Sequence, residues 1–188
     1  MKKMLMINGS PRSSGSSAEI LRAVAESASG KGFVCEMINL GELRISHCKG
    51  CRYCKAHGKC VIDDDMSPLY GKIQDADAIA FSVPVYFGAE NGLFKNFLDR
   101  LYALIDNKDG TRTVRFGKEK KGIVAVNCGA PDGNMTYHGI MAHLFNVLKS
   151  FGVTDISSGI VPKASPETVR GSQFLKDLIE AFEFQMSL

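Results

Sequence analysis

Short apolar runs alternate with longer segments of helical spacing along the whole chain, and this alternation limits the fold more than any other feature. Residues 4–7 are a brief apolar run that stops at Asn8-Gly9-Ser10. Residues 16–28 then carry Ile20, Leu21, Val24 and Ala28 at helical spacing, behind serines able to cap a helix. Residues 33–40 alternate as a strand does, and residues 78–83 read as a buried strand. Residues 91–105 read as a helix with Phe94, Leu98, Leu101 and either Leu104 or Ile105 inward. A strand over 122–126, a helix over 135–151 closed by Gly152, and a strand over 155–161 follow. The last helix spans 166–186, with Leu175, Leu178, Ile179 and Phe182 on one face. This β-α-β-α order predicts an α/β fold with a mostly parallel sheet covered on both faces. Ligands of such sheets sit at the carboxyl ends of the strands, at the switch point in strand order. Chemistry-bearing residues are therefore expected just after strands.

A length of 188 residues suits one well-buried domain over 1–188, with no repeat or low-complexity linker to divide it. The apolar fraction of 45% and charged fraction of 23% are those of a globular protein, and the net charge is only +3. Lys and Arg are scattered, which argues against a nucleic-acid surface. The one small clump, Lys118, Lys120 and Lys121, reads as a solvated approach to a strand. No apolar stretch nears the length that crosses a bilayer, and the Met1 end lacks a secretory pattern, so no membrane association and a cytoplasmic location are expected. Six cysteines in that setting are expected to be thiols or metal ligands rather than disulfides.

The first strand runs into residues 8–17, Asn-Gly-Ser-Pro-Arg-Ser-Ser-Gly-Ser-Ser, and then into a helix. A helix N-terminus offers free N–H groups and partial positive charge, which suit a phosphate. Gly9 and Gly15 allow a tight turn, Ser10, Ser16 and Ser17 add hydroxyl donors, and Arg12 adds charge. The spacing is neither a Walker A loop nor G-x-G-x-x-G. The competing reading is a serine-rich capping turn.

Gly9-Ser10-Pro11-Arg12 resembles the phosphate loop of the NADPH-dependent FMN reductase branch of the flavodoxin-like superfamily. Pro84-Val85-Tyr86-Phe87-Gly88, at the end of the third strand, is similar to that family's second flavin loop. The segment from Lys95 to Arg100 matches the pattern K-x-F-x-D-R, and Asn127-Cys128-Gly129-Ala130-Pro131 falls where the family places its third flavin loop. The resemblance implies a flavodoxin-like three-layer α/β/α sandwich with a five-stranded parallel sheet in the order 2-1-3-4-5. It implies FMN as cofactor, held by Ser10, Pro11, Arg12, Gly15, Ser16, Ser17, Pro84, Val85, Tyr86, Phe87, Gly88, Asn127, Cys128 and Gly129. A flavin needs a phosphate site, an aromatic or apolar wall and nearby backbone donors. Tyr86 or Phe87 suits the wall, and plain packing is the alternative for each ring.

Four of the six cysteines fall within thirteen residues, Cys48, Cys51, Cys54 and Cys60, in a Cys-rich loop at 47–63 spaced C-x2-C-x2-C-x5-C. Thiolates this close can wrap one soft metal centre. The spacing and the insertion point resemble those of iron–sulfur flavoproteins of the same superfamily, which implies a [4Fe-4S] cluster on these four residues. Redox-active thiols and structural zinc are the other readings. Cys35 reads as a small core residue and Cys128 as a packed thiol beside the flavin loops. His47 and His57 read as surface groups, and His138 and His143 are spaced poorly for a shared metal. Asp63, Asp64 and Asp65 precede a helix starting near Met66 and read as its cap and dipole partner.

The expected activity is electron transfer from NAD(P)H, or through a cluster, by way of FMN to a small-molecule acceptor such as a quinone or other electrophile. With no second dinucleotide fingerprint, donor and acceptor are expected to use one flavin face in turn. The alternatives are an electron carrier served by a partner such as ferredoxin, and a module that binds a nucleotide without redox work. A homodimer or tetramer is expected from the apolar content of residues 86–100.

Overall fold

The apolar runs pair as parallel strands because both of their faces are buried. In chain order the elements are β1 (Lys2–Asn8), α1 (Ser16–Gly30), β2 (Phe33–Asn39), α2 (Tyr53–His57), α3 (Ser67–Asp75), β3 (Ala78–Tyr86), β4 (Ala89–Glu90) and α4 (Gly92–Arg100). They continue with β5 (Ile105–Lys108), β6 (Thr111–Val114), β7 (Lys120–Asn127), α5 (Met135–Ser150), β8 (Val153–Val161) and α6 (Gln173–Ser187). The computed structural model describes residues 1–108, 111–115, 119–131 and 135–187. Lys118 lies outside them.

The five parallel strands run in the order β2-β1-β3-β7-β8, which is the flavodoxin-like 2-1-3-4-5 order when only those strands are counted. The period of two along β1 sends Leu5 and Ile7 to one face and Met4 and Met6 to the other. Leu5 and Ile7 join Phe81, Val83, Phe94, Phe97, Leu144 and Leu148. Met4 and Met6 join Ile20, Leu21, Val24, Leu178 and Phe182. Phe81 meets the edges of Phe94 and Phe97 at centroid separations of 5.3 and 6.2 Å, which locks α4 to the sheet. Among the described residues no helix is long and apolar enough to cross a membrane.

Three local expectations change. The 91–105 helix stops at Arg100, tightens into a 3-10 turn over Leu101–Leu104, and gives up Ile105 to β5. That strand pairs with β6 in a separate two-stranded ribbon, because each needs a partner that the main sheet does not offer. The last helix starts at Gln173 rather than 166. Hydrogen bonds between Ser165 and Thr168 hold the preceding stretch in a turn, and a 3-10 turn covers Val169–Gly171. Finally, Lys120 is not solvated. It is 2% exposed, and its Nζ donates to the carbonyls of Gln74, at 2.8 Å, and Ala76. It thus satisfies the end of α3, where a cation is electrostatically favoured.

Candidate functional site

The carboxyl ends of β1, β3 and β7 converge beside the N-terminus of α1. Gly9 N–H donates to the Ser82 carbonyl at 2.9 Å, joining the first loop to β3. A Cβ at Gly9 would stand 2.8 Å from the Phe94 ring, so only glycine allows this approach. Asn8 organises the loop from within. Its Oδ1 accepts the Ser10 N–H at 3.0 Å, and its Nδ2 donates to the Arg12 carbonyl at 3.2 Å and to Asn39 Oδ1 at 3.1 Å. Ser10 Oγ accepts the Arg12 N–H at 3.1 Å, which leaves the hydroxyl hydrogen for another acceptor. From outside, Gly41 closes on the same turn, and a Cβ there would stand 2.5 Å from the Pro11 carbonyl oxygen.

Helix α1 begins behind this turn with Gly15 in an extended conformation and no side-chain cap. The serines read as capping residues do not cap it. Ser16 and Ser17 are buried in its first turn, and Ser17 Oγ accepts from Asn127 Nδ2 at 2.8 Å. Asn127 Nδ2 also reaches Ser82 Oγ at 3.4 Å, so the third loop is tied to both α1 and β3. An uncapped helix end with hydroxyls and the exposed Arg12 nearby has the chemistry that suits an anion.

The second loop is a β-hairpin that sequence reasoning missed. Tyr86 pairs with Ala89 and Val85 with Glu90. Its two central residues, Phe87 and Gly88, have φ of +51° and +79°. Two successive positive φ values are what a tight I′ hairpin requires, and Asn-Gly is its usual sequence. Phe87 in the first position bears strain, and its side chain is fully exposed. Tyr86 is 45% exposed. The hairpin leads to Asn91, whose Oδ1 caps α4 by accepting the Phe94 N–H at 2.9 Å while its Nδ2 donates to the Gly9 carbonyl at 2.7 Å. Pro84, Val85, Gly129 and Cys128 lie on the same edge through the pairing of β3 with β7, in which Pro84 is opposite Asn127. Cys128 is buried in the core, with its N–H on the Val161 carbonyl at 3.1 Å. Cys35 is half-buried against the other face, where burial pushes its thiol pKa up.

The cysteine loop lies at the far end of α4. All four of its cysteines are free thiols; Cys48 and Cys51 are exposed, and Cys54 and Cys60 are half-buried. Burial pushes the Cys54 thiol pKa up, Lys55 and Arg115 oppose that, and Cys60 is near enough to add to it. Among the described residues no three Cys, His, Asp or Glu side chains are placed to hold a metal ion. As folded, then, the four sulfurs do not form a ready cluster site, although their donor chemistry suits one. His57 stacks on Tyr53 at 3.9 Å, and His143 stands 3.6 Å from Glu90 rather than near His138.

The acidic triplet keeps part of its expected role and adds another. Met66 occupies the cap position of α3 and makes no side-chain capping bond, but Asp64 Oδ1 accepts the Met66 N–H at 3.1 Å and Asp63 Oδ1 accepts the Ser67 hydroxyl at 3.0 Å. Asp64 also pairs with Arg100, which is 1% exposed, at 2.7 and 3.0 Å. Helices can begin without a capping side chain, whereas a buried guanidinium needs a carboxylate. Asn8, Gly41, Asn91, Arg100 and Asp64 were not singled out as site residues. The one available signal was Asn91, an Asn directly before a helix.

A family model described as NADPH-dependent FMN reductase matches residues 2–165. The chain is 29% identical over 188 residues to an iron–sulfur flavoprotein of Archaeoglobus fulgidus, covering 96% of this chain and 80% of that one. It is 32% identical over 138 residues to an iron–sulfur flavoprotein of Methanocaldococcus jannaschii, covering 71% of this chain and 66% of that one. Among solved structures it is similar to an NAD(P)H:quinone oxidoreductase from Methanothermobacter marburgensis, with a TM-score of 0.72 at 20% identity over 97% and 98% of the two chains. It is also similar to an FMN-dependent NADH-azoreductase of Bacillus anthracis solved with FMN, with a TM-score of 0.70 at 16% identity over 100% and 98%. At those identities the solved structures speak for the fold, and the family match rests on the sequence. With its parallel sheet and three loops gathered at one edge, the chain belongs to the NADPH-dependent FMN reductase family.

Proposed function

We propose that this protein is an FMN oxidoreductase that takes electrons from NAD(P)H and delivers them to a small acceptor such as a quinone or other electrophile. The observation that carries this reading is the uncapped N-terminus of α1 with Ser10, Ser16, Ser17 and Arg12 around it, at the junction of three strand ends. The residues present fit FMN: an anion site for its phosphate, a glycine-lined turn that brings backbone close, and the exposed rings of Tyr86 and Phe87 for its ring system. FMN, when bound, supplies the two-electron chemistry. Ser10 and Ser17 have hydroxyl hydrogens to donate, Arg12 balances phosphate charge, and the Asn8 and Asn91 side chains hold the turn in shape. A terminal phosphate site without an acidic ribose partner downstream favours FMN over FAD.

A groove of about 600 Å³ lies beside the third loop, lined by Pro131, Pro162, Lys163, Thr168 and Phe174. With no second dinucleotide fingerprint in the sequence, donor and acceptor share one flavin face in turn, so ping-pong kinetics are expected. The test is FMN titration followed by NADH and NADPH oxidation with and without a quinone. Ser10→Ala and Arg12→Ala are expected to weaken FMN, and wild-type affinity in both would sink the assignment. Intersecting double-reciprocal lines would rule out the ping-pong order.

A second reading is favoured by the four clustered cysteines and by the printed names of the sequence relatives. In it the cysteines hold a [4Fe-4S] cluster and the protein exchanges electrons with a carrier such as ferredoxin. This requires residues 47–60 to close around the metal. Anaerobic purification with iron and sulfide analysis decides it, and full FMN with no iron ends it. A homodimer or dimer of dimers is part of the first reading, because the hairpin leaves Tyr86 and Phe87 uncovered. Light scattering that returns a monomer at micromolar concentration would exclude it.

A further inference from the structure

Two guanidinium groups lie under the cysteine loop, one at its neck and one at its middle. Arg100 Nη1 donates to the Ser46 carbonyl at 2.9 Å and its Nη2 to the Ile62 carbonyl at 3.2 Å. One side chain therefore grips both ends of the stretch that holds Cys48, Cys51, Cys54 and Cys60. Asp64 fixes that guanidinium and itself accepts the Ser46 N–H at 2.9 Å, so the neck is cross-tied. Arg115 follows β6. Its Nη2 donates to the Cys54 carbonyl at 3.0 Å, and its Nε donates to Asp106 Oδ2 at 2.9 Å. Lys55, on α2, donates to the Tyr102 carbonyl at 2.6 Å and to that of Ile105. The β5–β6 ribbon lies outside the parallel sheet, and these contacts attach it to the loop.

Two buried donors remain. Arg100 Nε and Arg115 Nη1 have no hydrogen-bond partner among the described residues. Buried donors are normally paired. Arg115 Nη1 stands 3.4 Å from where a Cβ of Gly58 would be, directly against the loop. Both arginines therefore hold the backbone that carries the cysteines.

We infer that Arg100 and Arg115 are the positioning residues of the cysteine loop, Arg100 closing its neck and Arg115 bracing its middle. The assignment needs neither bound flavin nor bound iron, so it can fail while the proposed activity stands. The experiment is hydrogen exchange on the full-length wild type, Arg100→Lys, Arg115→Met and Arg115→Lys, with FMN titration of each sample as the control. A lysine at 100 cannot reach Ser46, Ile62 and Asp64 together. Exchange at the amides of Ser46 and Met66 in Arg100→Lys, and of Lys55 and Gly58 in Arg115→Met, is expected to rise about tenfold or more, as for the loss of charged hydrogen bonds. The core strand amides of Met6 and Ala80 should hold, and so should FMN affinity. Arg115→Lys should restore part of the protection lost in Arg115→Met. Uniformly faster exchange across core and loop, or unchanged loop exchange in either folded variant, would overturn the inference. Arg115→Met, at a less buried site, keeps the test open if Arg100→Lys fails to fold.

Discussion

Arg100 and Asp64 form a two-pronged ion pair, Nη1 to Oδ2 at 2.7 Å and Nη2 to Oδ1 at 3.0 Å, with the arginine side chain wholly enclosed. Burial by itself would raise the carboxyl pKa. The guanidinium and the N–H groups of Ser46 and Met66 outweigh it and lower the Asp64 pKa from 3.8 to about 2. A carboxyl held below its unfolded value contributes stability above that value and loses it as pH falls through the folded one. The shift is therefore expected to contribute roughly 2 kcal/mol that is present at pH 7 and lost between about pH 5 and pH 2. Urea midpoints at pH 7 and pH 3 check this, and an Asp64→Asn variant should be flatter across that window.

Gly41→Ala tests the proposed phosphate turn without touching a residue assigned to the flavin. Its Cβ would stand 2.5 Å from the Pro11 carbonyl oxygen, and that neighbour is backbone, which cannot rotate away. Displacing the turn is expected to cost about 1–3 kcal/mol of stability and to weaken FMN at least tenfold. Riboflavin, which lacks the phosphate, should lose little affinity. Parallel fluorescence titrations with the two flavins separate these outcomes.

Phe87→Asn creates the Asn-Gly pair that suits two positive φ values. Relief of strain is expected to stabilise the protein by about 1 kcal/mol, a rise in Tm of roughly 2–4 °C for a chain of this size. If the exposed ring covers the flavin, the same variant should bind FMN about threefold to tenfold more weakly. Calorimetry and FMN titration on one preparation read both effects, and a more stable protein with unchanged FMN affinity would remove Phe87 from the site.

Asn91→Ala should act at two places. It removes the cap of α4, worth about 1 kcal/mol, and leaves the buried Gly9 carbonyl short of a donor. A combined loss of roughly 2 kcal/mol is expected, together with weaker FMN binding. A loss confined to stability would show that the phosphate turn keeps its shape without Asn91.

Periodicity made the parallel strands and main helices legible, because Leu5, Ile7 and Phe81 on one face and Met4 and Met6 on the other must be covered. The loop positions were legible because turn chemistry follows strands at Gly9, Gly88 and Gly129. The ribbon of β5 and β6 was not, although Asp109-Gly110 between them in sequence is a strong hairpin signal, because Leu101, Leu104 and Ile105 continue the apolar spacing of the helix before them. Nor was the role of Asp64. Three adjacent aspartates look alike in sequence, and only the packing around Arg100 selects the middle one. Lys120 misled for a similar reason, because its partners are main-chain carbonyls of Gln74 and Ala76 that no side-chain pattern reveals.

The closed neck between Ser46 and Ile62 makes the cysteine stretch an exchangeable cassette. Because one arginine fixes where the chain leaves and where it returns, the segment in between can change in length and content without moving β2 or α3. Loop closure costs only about 0.6 kcal/mol more for each doubling of length. A longer graft, a differently spaced set of thiols or a plain glycine–serine linker spliced between those two residues should leave the flavin edge intact, provided Arg100 and Asp64 are kept.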